Sequence, residues 1–300
     1  MMHIPKNLEN KFTIALNYIK DYFGEIVNIT KLKGLSNYNF LIQYKNKKSE
    51  LNITYVVLKI FNLNDITENS NSDITRELDH LNISPKTLYN SFPDYCITEY
   101  KHGLHPNNTY FENIENTKAL SKILITLNNI DFHRYKNISN INFYKTNSIL
   151  LSQVRNKYCL ILKKILETVT KQIDLYSPTL GFCHNDLNNQ NIIIDNNNKI
   201  WLIDFEYSGI SDIFFDLASI RKLFNIHSYN RFLEYHRQTY LSKLEPKIFH
   251  NKLDSYIILS LLTEAIWFLY MSEQQLAQSD YYKNTFLKLF DTLLNYDNLI

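Results

Sequence analysis

The first hundred residues alternate short apolar runs with polar stretches, a pattern typical of β-strands. Strands are predicted at Asn39–Tyr44, Ile53–Phe61 and Tyr95–Tyr100, which are short and rich in β-branched or aromatic residues. A helical period precedes them in Asn10–Phe23, and the polar segment Asn62–Asp73 predicts an exposed loop. We therefore expect a strand-rich N-terminal region.

From Phe111 onward the apolar positions recur mostly with the period of an α-helix. The predicted helices are Asn116–Asn128, Ile149–Leu175, Asp216–Phe224, Asn230–Leu241, Asn251–Gln275 and Tyr281–Leu294. Residues 181–220 interrupt this helical half with a pair of short strands. A small β-rich lobe over 1–102 and a larger helical lobe over 103–300 predict an α+β fold with two domains.

The composition restricts the class of protein. The chain has 300 residues, of which 45% are hydrophobic, and a formal net charge of +2. Its lysines are scattered, and the densest run, Lys45–Lys48, predicts a hairpin tip, so the chain lacks the basic face of a nucleic-acid-binding protein. Cys96, Cys159 and Cys183 have no CxxC spacing and are odd in number, which favours a reduced, cytoplasmic protein.

Neither a signal peptide nor a membrane-spanning helix is expected. The N-terminal stretch MMHIPKNLENKFTIAL lacks the basic segment and the long apolar core of a signal peptide. The most apolar stretch, Tyr256–Met271, contains Glu264 and is shorter than a spanning helix. It therefore predicts a buried helix.

Polar residues cluster around the two predicted strands in CHNDLNNQNIIIDNNNKIWLIDFEYSG. Hard cations such as Mg²⁺ bind carboxylate and amide oxygens and leave room for substrate phosphates. In phosphoryl transfer one Asp accepts the proton of the attacking hydroxyl, while an Asn and a second Asp hold the metal. Asp186, Asn191 and Asp204 can fill these roles, with His184 as a positioning residue. Asn and Asp also favour turns for local reasons, but the strand-like flanks favour the catalytic interpretation.

Residues 181–220 resemble the catalytic core of the aminoglycoside phosphotransferase and choline kinase superfamily, which shares the bilobal fold of protein kinases. More narrowly, CHNDL…N and IDFEYSG…FDLA are similar to choline and ethanolamine kinases. The resemblance implies ATP and Mg²⁺ as cofactors, Asp186 as catalytic base, and Asn191 and Asp204 as magnesium ligands. Asp216 matches the Asp that braces the catalytic loop in this family, a role compatible with capping the helix that begins at Leu217.

The resemblance also implies a nucleotide site in the N-terminal lobe. KLKGLSNYNFLIQY is similar to the phosphate-binding turn of the family, with Gly34, Ser36 and Asn37 near the phosphates. The family usually has two glycines in this turn, and this chain has one. ITEYKHG resembles the linker between the lobes, whose backbone at Glu99 and Tyr100 would bond adenine.

Lys59 lies in the strand-like run YVVLKIF. In the kinase interpretation it contacts the α- and β-phosphates and pairs with a Glu on the next helix. Glu77 is the expected partner, although it lies only eight residues before Pro85, where the family has a longer helix. Glu68 is the fallback.

The acceptor is expected to bind beside the helix LLTEAIWFLYMSEQQ. A quaternary ammonium cannot donate hydrogen bonds, so aromatic faces and carboxylates usually hold it. Trp267 and Tyr270 lie three apart on one helical face, with Glu264 a turn earlier. They resemble an aromatic pair of choline kinases, although the second residue is Tyr where Trp is expected. With 22 Tyr and 18 Phe in the chain, such a stripe is also compatible with core packing. The other residues of the hypothetical cage are Tyr207 and either Tyr281 or Tyr282.

The leading hypothesis is a kinase that phosphorylates choline, with ethanolamine as the close rival. Ethanolamine would need hydrogen-bond acceptors, which Glu206 or Glu264 would supply. An aminoglycoside would call for a strongly acidic C-terminal lobe, whereas 201–300 is only moderately acidic; thiamine or another small alcohol stays open. The alternative from another class is a nucleotide-binding pseudokinase scaffold, which does not need a complete catalytic set. This chain retains the whole set, Lys59, Asp186, Asn191 and Asp204.

Overall fold

The computed structural model describes residues 4–32, 37–47, 53–62, 72–107, 109–135, 138–274 and 278–296. Internal contacts divide the chain into two compact units. The first comprises Met1–His105 with Asn191–Glu206, and the second comprises Pro106–Gln190 with Tyr207–Ile300. The division differs from the expected one near residue 102, because the segment 191–206 groups with the N-terminal part of the chain.

The first unit contains a five-stranded antiparallel sheet with the strand order β1-β2-β3-β5-β4. Its strands are β1 (Gly24–Lys31), β2 (Tyr38–Asn46), β3 (Ile53–Ile60), β4 (Thr87–Ser91) and β5 (Tyr95–Glu99). The three predicted strands correspond to β2, β3 and β5, whereas β1 and β4 were not predicted.

One face of this sheet packs on the helix α1 (Glu9–Tyr22), which matches the predicted N-terminal helix. Ala15 and Ile19 of the helix lie in one buried cluster with apolar residues of β2, β3 and β5, among them Phe40 and Leu58. Since side chains alternate along a strand, Lys59 projects from the opposite face of β3.

A second helix, α2 (Ser72–Leu81), lies between β3 and β4 in the chain. Ile74 and Leu78, one turn apart, are its buried positions. The predicted loop Asn62–Asp73 falls mostly outside the described residues, and its described C-terminal end is already helical.

The segment 191–206 forms a hairpin that joins the first unit through backbone hydrogen bonds. Its strands β8 (Ile192–Asp195) and β9 (Ile200–Leu202) form a three-stranded sheet with β6 (Gly103–Leu104), in the order β6-β8-β9. The backbone N–H of Leu202 also donates to the carbonyl of Ile83 at 2.8 Å. The predicted strand pair is thus present, and these bonds explain why it groups with the N-terminal sheet.

The second unit is mainly helical and contains one two-stranded antiparallel sheet, β7 (Leu180–Cys183) with β10 (Gly209–Asp212). Its described helices are α3 (Ile114–Asn128), α4 (Phe143–Ser152), α5 (Cys159–Ile173), α6 (Phe214–Ser219), α7 (Ile226–Tyr240), α8 (Pro246–Gln274) and α9 (Ser279–Leu294). The predicted helices are confirmed except for Ile149–Leu175, which is two helices in the structure. A 3₁₀ turn, Ile220–Leu223, completes the predicted helix Asp216–Phe224 after α6.

The helix α8 lies at the centre of the second unit. It is long and apolar enough to cross a membrane by length and composition, but 67% of its most apolar window is buried within the protein. Core helices of soluble proteins pass the same test, so the observation is weak evidence for a membrane span. The burial agrees with the predicted buried helix over Tyr256–Met271.

Candidate active site

Lys59 and two acidic residues form a buried ionic cluster in the first unit. The ammonium group of Lys59 donates to a carboxylate oxygen of Asp204 and to one of Glu206. Lys59 comes from β3, whereas both acids follow β9, so the packing of the hairpin on the first unit produces the cluster. These are the ion pairs that the structure gives Lys59.

The electrostatics of the cluster favour a charged Lys59. Burial by itself lowers the pKa of this lysine, but the carboxylates of Asp204 and Glu206 more than offset it and raise the pKa above the usual value. A lysine that stays charged inside the protein is suited to hold phosphate oxygens, since an ammonium group provides three hydrogen-bond donors and no acceptor.

Asn37 extends this cluster towards the predicted phosphate-binding turn. Its Nδ2 donates to Oε2 of Glu206 at 2.6 Å, and its Oδ1 accepts from the backbone N–H of Asn62 at 2.9 Å. Asn37 precedes β2 directly, and Asn62 follows β3. Gly34 and Ser36, the other residues predicted for this turn, lie outside the described residues.

The hairpin brings Asn191 and Asp204 to one end of its two strands. Ile192 pairs with Leu202, and the backbone N–H of Ile203 donates to the carbonyl of Asn191 at 2.9 Å. Asp204 has a φ of 67°, a left-handed conformation that Asp and Asn adopt more readily than other non-glycine residues. An amide oxygen and a carboxylate therefore leave the same end of the hairpin.

This pair of oxygen donors suits Mg²⁺. No group of three or more His, Cys, Asp or Glu side chains that could hold a metal occurs among the described residues. Mg²⁺ needs no such cage, since it commonly binds through one or two protein oxygens together with substrate phosphates and water. The residues present therefore fit a magnesium ion that arrives with a nucleotide.

In the second unit, Asp216 holds the loop that carries the predicted catalytic base. Its two carboxylate oxygens accept from the backbone N–H groups of His184 and Asn185 at 2.8 and 2.7 Å. Asp216 lies in the short helix α6 and is almost completely buried. These are the contacts that its expected bracing role requires. Burial raises the pKa of this carboxyl to about 6, although the two backbone hydrogen bonds oppose the shift.

Asn185, which sequence reasoning did not single out, fixes the same loop from the other side. Its Oδ1 accepts from the hydroxyl of Ser211 at 2.7 Å, and its Nδ2 donates to the carbonyl of Tyr207 at 3.1 Å. Its φ of 64° is left-handed. The signal that could have identified Asn185 is its place directly before the predicted catalytic Asp, since Asn tolerates this conformation and can both donate and accept hydrogen bonds.

Asp186 and His184 lie in this braced loop. His184 is fully buried, and its Nδ1 accepts from the backbone N–H of Asp186 at 3.3 Å, which places the ring proton on Nε2. Asp186 is half-buried, and one of its carboxylate oxygens accepts from Nδ2 of Asn188 at 3.2 Å. The loop thus presents a carboxylate whose backbone is fixed by buried groups.

The predicted adenine linker follows β5 in the first unit. Glu99 is the last residue of that strand; its carboxylate pairs with Lys101 at 2.8 Å, and its backbone N–H donates to the carbonyl of Lys86 at 2.9 Å. The ring of Tyr100 contacts that of His102 edge-on, with centroids 4.7 Å apart. Because the N–H of Glu99 already has a partner, we expect adenine contacts from the backbone beyond it.

Glu77 is half-buried on α2. Its pairing with Lys59 stays a prediction, and Glu68 lies outside the described residues. Glu206 was expected to meet the acceptor, but in the structure its carboxylate bonds Lys59 and Asn37.

The predicted acceptor residues of α8 form a half-exposed stripe. Trp267 and Tyr270 are half-buried, and the carboxylate of Glu264 pairs with the ammonium group of Lys222. The ring of Trp267 meets that of Tyr282 edge-on, with centroids 5.9 Å apart and an interplanar angle of 81°. Further residues expected near the acceptor are Tyr207, half-buried after β9, and Tyr281, exposed on α9.

A sequence model of the choline/ethanolamine kinase family matches residues 29–256. The chain belongs to this family. It is accordingly an ATP-dependent kinase, and the matched residues include both the ionic cluster around Lys59 and the braced loop at Asp186.

Individual relatives agree with the family assignment. A LicA homologue of Mycoplasma capricolum is 26% identical over 196 residues, which cover 62% of this chain and 75% of the relative. The crystal structure of the choline kinase LicA from Streptococcus pneumoniae superposes with a TM-score of 0.76 at 19% identity, over 96% of this chain and 100% of the other. A LicA structure in complex with AMP gives a TM-score of 0.72 at 19% identity, over 95% and 98%.

The same fold occurs in a more distantly similar kind of enzyme. An aminoglycoside phosphotransferase superposes with a TM-score of 0.62 at 11% identity, over 92% of this kinase and 98% of the other chain. The predicted α+β, protein-kinase-like fold is thus confirmed.

Proposed function

We propose that this kinase transfers the γ-phosphate of ATP to the hydroxyl of choline, giving phosphocholine. The observation that carries the proposal is the stripe on α8. Between Ser255 and Met271 the helix is buried except at five half-exposed positions, which recur at helical spacing. These positions are Ser260, Thr263, Glu264, Trp267 and Tyr270. An aromatic pair on one face of the helix matches the chemistry that holds a quaternary ammonium.

The polar partners in the structure favour choline over ethanolamine. A primary ammonium needs several hydrogen-bond acceptors, and Glu206 and Glu264 were the expected ones. Glu206 bonds Lys59 and Asn37, and Glu264 pairs with Lys222. Because both carboxylates already pair with groups of the protein, aromatic ring faces account better than carboxylates for binding of the acceptor. Ring faces suit the trimethylammonium group of choline.

Each part of the catalytic set has a proposed role in this reaction. Asp186 accepts the proton of the choline hydroxyl while the hydroxyl oxygen attacks the γ-phosphorus and ADP leaves. Lys59 holds phosphate oxygens, and Asn191 and Asp204 hold Mg²⁺, which neutralises charge on the phosphates. Asp216 and His184 keep the backbone of the loop in place. Since the reaction consumes ATP and the cysteines are free thiols, we place the kinase in the cytoplasm.

ADP release with Mg²⁺-ATP tests the proposal, with choline, ethanolamine, thiamine and kanamycin assayed in parallel. We expect the highest kcat/KM for choline. A higher kcat/KM for ethanolamine would keep the kinase but show that carboxylates, not ring faces, select the acceptor. Turnover with thiamine or kanamycin alone would contradict the proposed acceptor.

A further inference from the structure

Glu206 is a buried carboxylate of the first unit with no role in the proposed chemistry so far. It is buried, with a side-chain exposure of 6%. One of its oxygens, Oε2, accepts from both Lys59 and Asn37. A buried carboxylate normally requires such charge and hydrogen-bond compensation, so this arrangement is electrostatically consistent.

The two donors to Glu206 come from the parts of the unit expected to hold phosphate. Lys59 lies near the end of β3, and Asn37 lies where the segment 31–44 enters β2. The other end of the Asn37 amide is fixed by the N–H of Asn62, so the side chain cannot rotate without losing a bond. Glu206 therefore connects the strand that carries the lysine with the start of the strand after the turn.

We propose that Glu206 is a positioning residue, which holds the Lys59 ammonium for the phosphates of ATP and, through Asn37, fixes the end of the phosphate-binding turn. The inference rests on the proposed contact of Lys59 with phosphate. Asp204 is expected to exchange its bond with Lys59 for the metal when nucleotide binds. An ammonium group has three donors, so one can stay on Glu206 while the others bind phosphate oxygens.

The test is a double-mutant cycle on ATP binding without acceptor. The dissociation constant of Mg²⁺-ATP is measured by titration calorimetry for the wild type, Glu206→Gln, Lys59→Met and the double variant. Loss of a charge-assisted hydrogen bond predicts a roughly tenfold weaker binding for Glu206→Gln. Because Glu206 is proposed to act largely through Lys59, Glu206→Gln should weaken ATP binding little further when Lys59 is already replaced by Met.

Glu115→Gln provides a matched control. Glu115 also pairs with a lysine, Lys118, but this pair is on an exposed helix surface of the second unit. Its substitution should leave the dissociation constant unchanged. Thermal unfolding of every variant shows whether the protein is folded at the temperature of the titration.

Several outcomes would overturn the proposal. Wild-type ATP affinity in a folded Glu206→Gln variant would exclude a positioning role, as would full additivity with Lys59→Met. A defect that high Mg²⁺ concentrations abolish would make Glu206 a metal ligand, and a raised acceptor KM at unchanged ATP affinity would make it an acceptor residue. If Glu206→Gln does not fold, Asn37→Ala decides, because it keeps both charges: ATP binding a few-fold weaker is expected, and unchanged binding contradicts the proposal.

These results are independent of the acceptor. Failure of the wild type to phosphorylate choline would defeat the proposed function but leave the ATP-binding cycle intact. If the effects of Glu206→Gln and Lys59→Met on ATP binding are additive, the proposed role of Glu206 is wrong, and the proposed acceptor is not affected.

Discussion

At the scale of single residues, Asp186 combines a braced backbone with a half-buried carboxylate. Asp216 and the side chain of Asn185 fix the backbone at His184 and Asn185, so the position of Asp186 does not depend on its own side chain. Asp186→Asn should therefore preserve the loop and remove only the base. We expect kcat to fall by roughly 10²–10⁴-fold, the usual contribution of general base catalysis, while the affinity for ATP stays within a factor of two or three.

Steady-state ADP release and ATP titration of the same preparation check this expectation. Asn188→Ala serves as the control, because it removes the neighbour that donates to Asp186 but keeps the carboxylate. Turnover of Asp186→Asn at the wild-type rate would show that Asp186 is not the catalytic base.

A second residue-scale prediction concerns pH and the buried His236 of α7. Its Nδ1 lies 3.0 Å from the hydroxyl of Ser121, and the rings of Phe232 and Tyr240 lie beside it. Its Nε2 has no hydrogen-bond partner among the residues that the structure describes. Burial lowers the pKa of this histidine to about 4. The unfolded chain has the ordinary pKa of about 6.5, so it binds the proton more readily than the folded protein does.

The free energy of unfolding contributed by this difference is fully present above pH 6.5 and is lost as the pH falls from 6.5 towards 4. Between pH 7 and pH 5 we expect a loss of about 2 kcal/mol from this residue. Urea unfolding at the two pH values measures it in the wild type and in His236→Leu, which cannot titrate. The same loss in both proteins would assign the pH dependence to other groups.

At the scale of secondary-structure elements, α8 provides both the core of the second unit and its half-exposed stripe. Trp267→Ala should raise the KM for choline by roughly tenfold or more and change the KM for ATP little, since a ring face that binds a cation contributes about 1–2 kcal/mol. Trp267→Phe, which keeps a ring, should lose much less. The measurement is the pair of KM values for each variant.

Phe290→Ala separates binding from packing in this experiment. Phe290 of α9 contacts the rings of Tyr158 and Phe286 and is not among the predicted acceptor residues. We expect it to lower the melting temperature without a selective change in either KM. Equal increases in the KM values for choline and for ATP in Trp267→Ala would show that Trp267 contributes to packing and not to acceptor binding.

The secondary-structure elements that the sequence predicts are those whose apolar residues recur with a clear period and whose ends are determined by neighbouring residues. The predicted helix Ile149–Leu175 instead breaks between α4 and α5, where the sequence has neither Gly nor Pro. Glu273, far along the chain, accepts from the backbone N–H of Arg155, a group that a continuous helix would pair internally, and also from the Asn156 side chain. A contact across 118 residues is invisible to a local pattern.

The strand β1 was missed for a related reason. Its pairing with β2 shifts register between Ile26 and Asn28, so the alternation of apolar positions is interrupted. Its other residues are mostly exposed or half-exposed, as expected at the edge of a sheet. The sequence therefore lacks the regular period of a buried strand.

At the scale of the whole molecule, the sequence is enough to predict the chemistry of the site but not the contacts that its residues make. Asp186, Asn191 and Asp204 follow from a compact motif, and Lys59 from its strand. Lys59 and Glu206 are 147 residues apart in the chain, and their contact depends on the packing of hairpin 191–206 with the N-terminal sheet. No local signal encodes that packing, so the sequence points only to Glu77 on the following helix, whose pairing with Lys59 stays a prediction.

From the division into two units we predict which segments each substrate protects from hydrogen exchange. Lys59, Asn191 and Asp204 all belong to the first unit, whereas the stripe on α8 belongs to the second. A ligand that binds only the folded state stabilises it by about 2.7 kcal/mol at a hundred times its Kd. Saturating Mg²⁺-ATP should therefore slow hydrogen exchange most in β2, β3 and the hairpin, and choline should slow it most in α8.

Mass spectrometry of deuterium uptake, with each ligand added separately, resolves these segments. Lys59→Met should lose the protection by Mg²⁺-ATP and keep the protection by choline, while Trp267→Ala should show the reverse, because each variant removes contacts in one unit. Protection of β2 and β3 by choline alone, or of α8 by Mg²⁺-ATP alone, would contradict the assignment of nucleotide to the first unit and acceptor to the second.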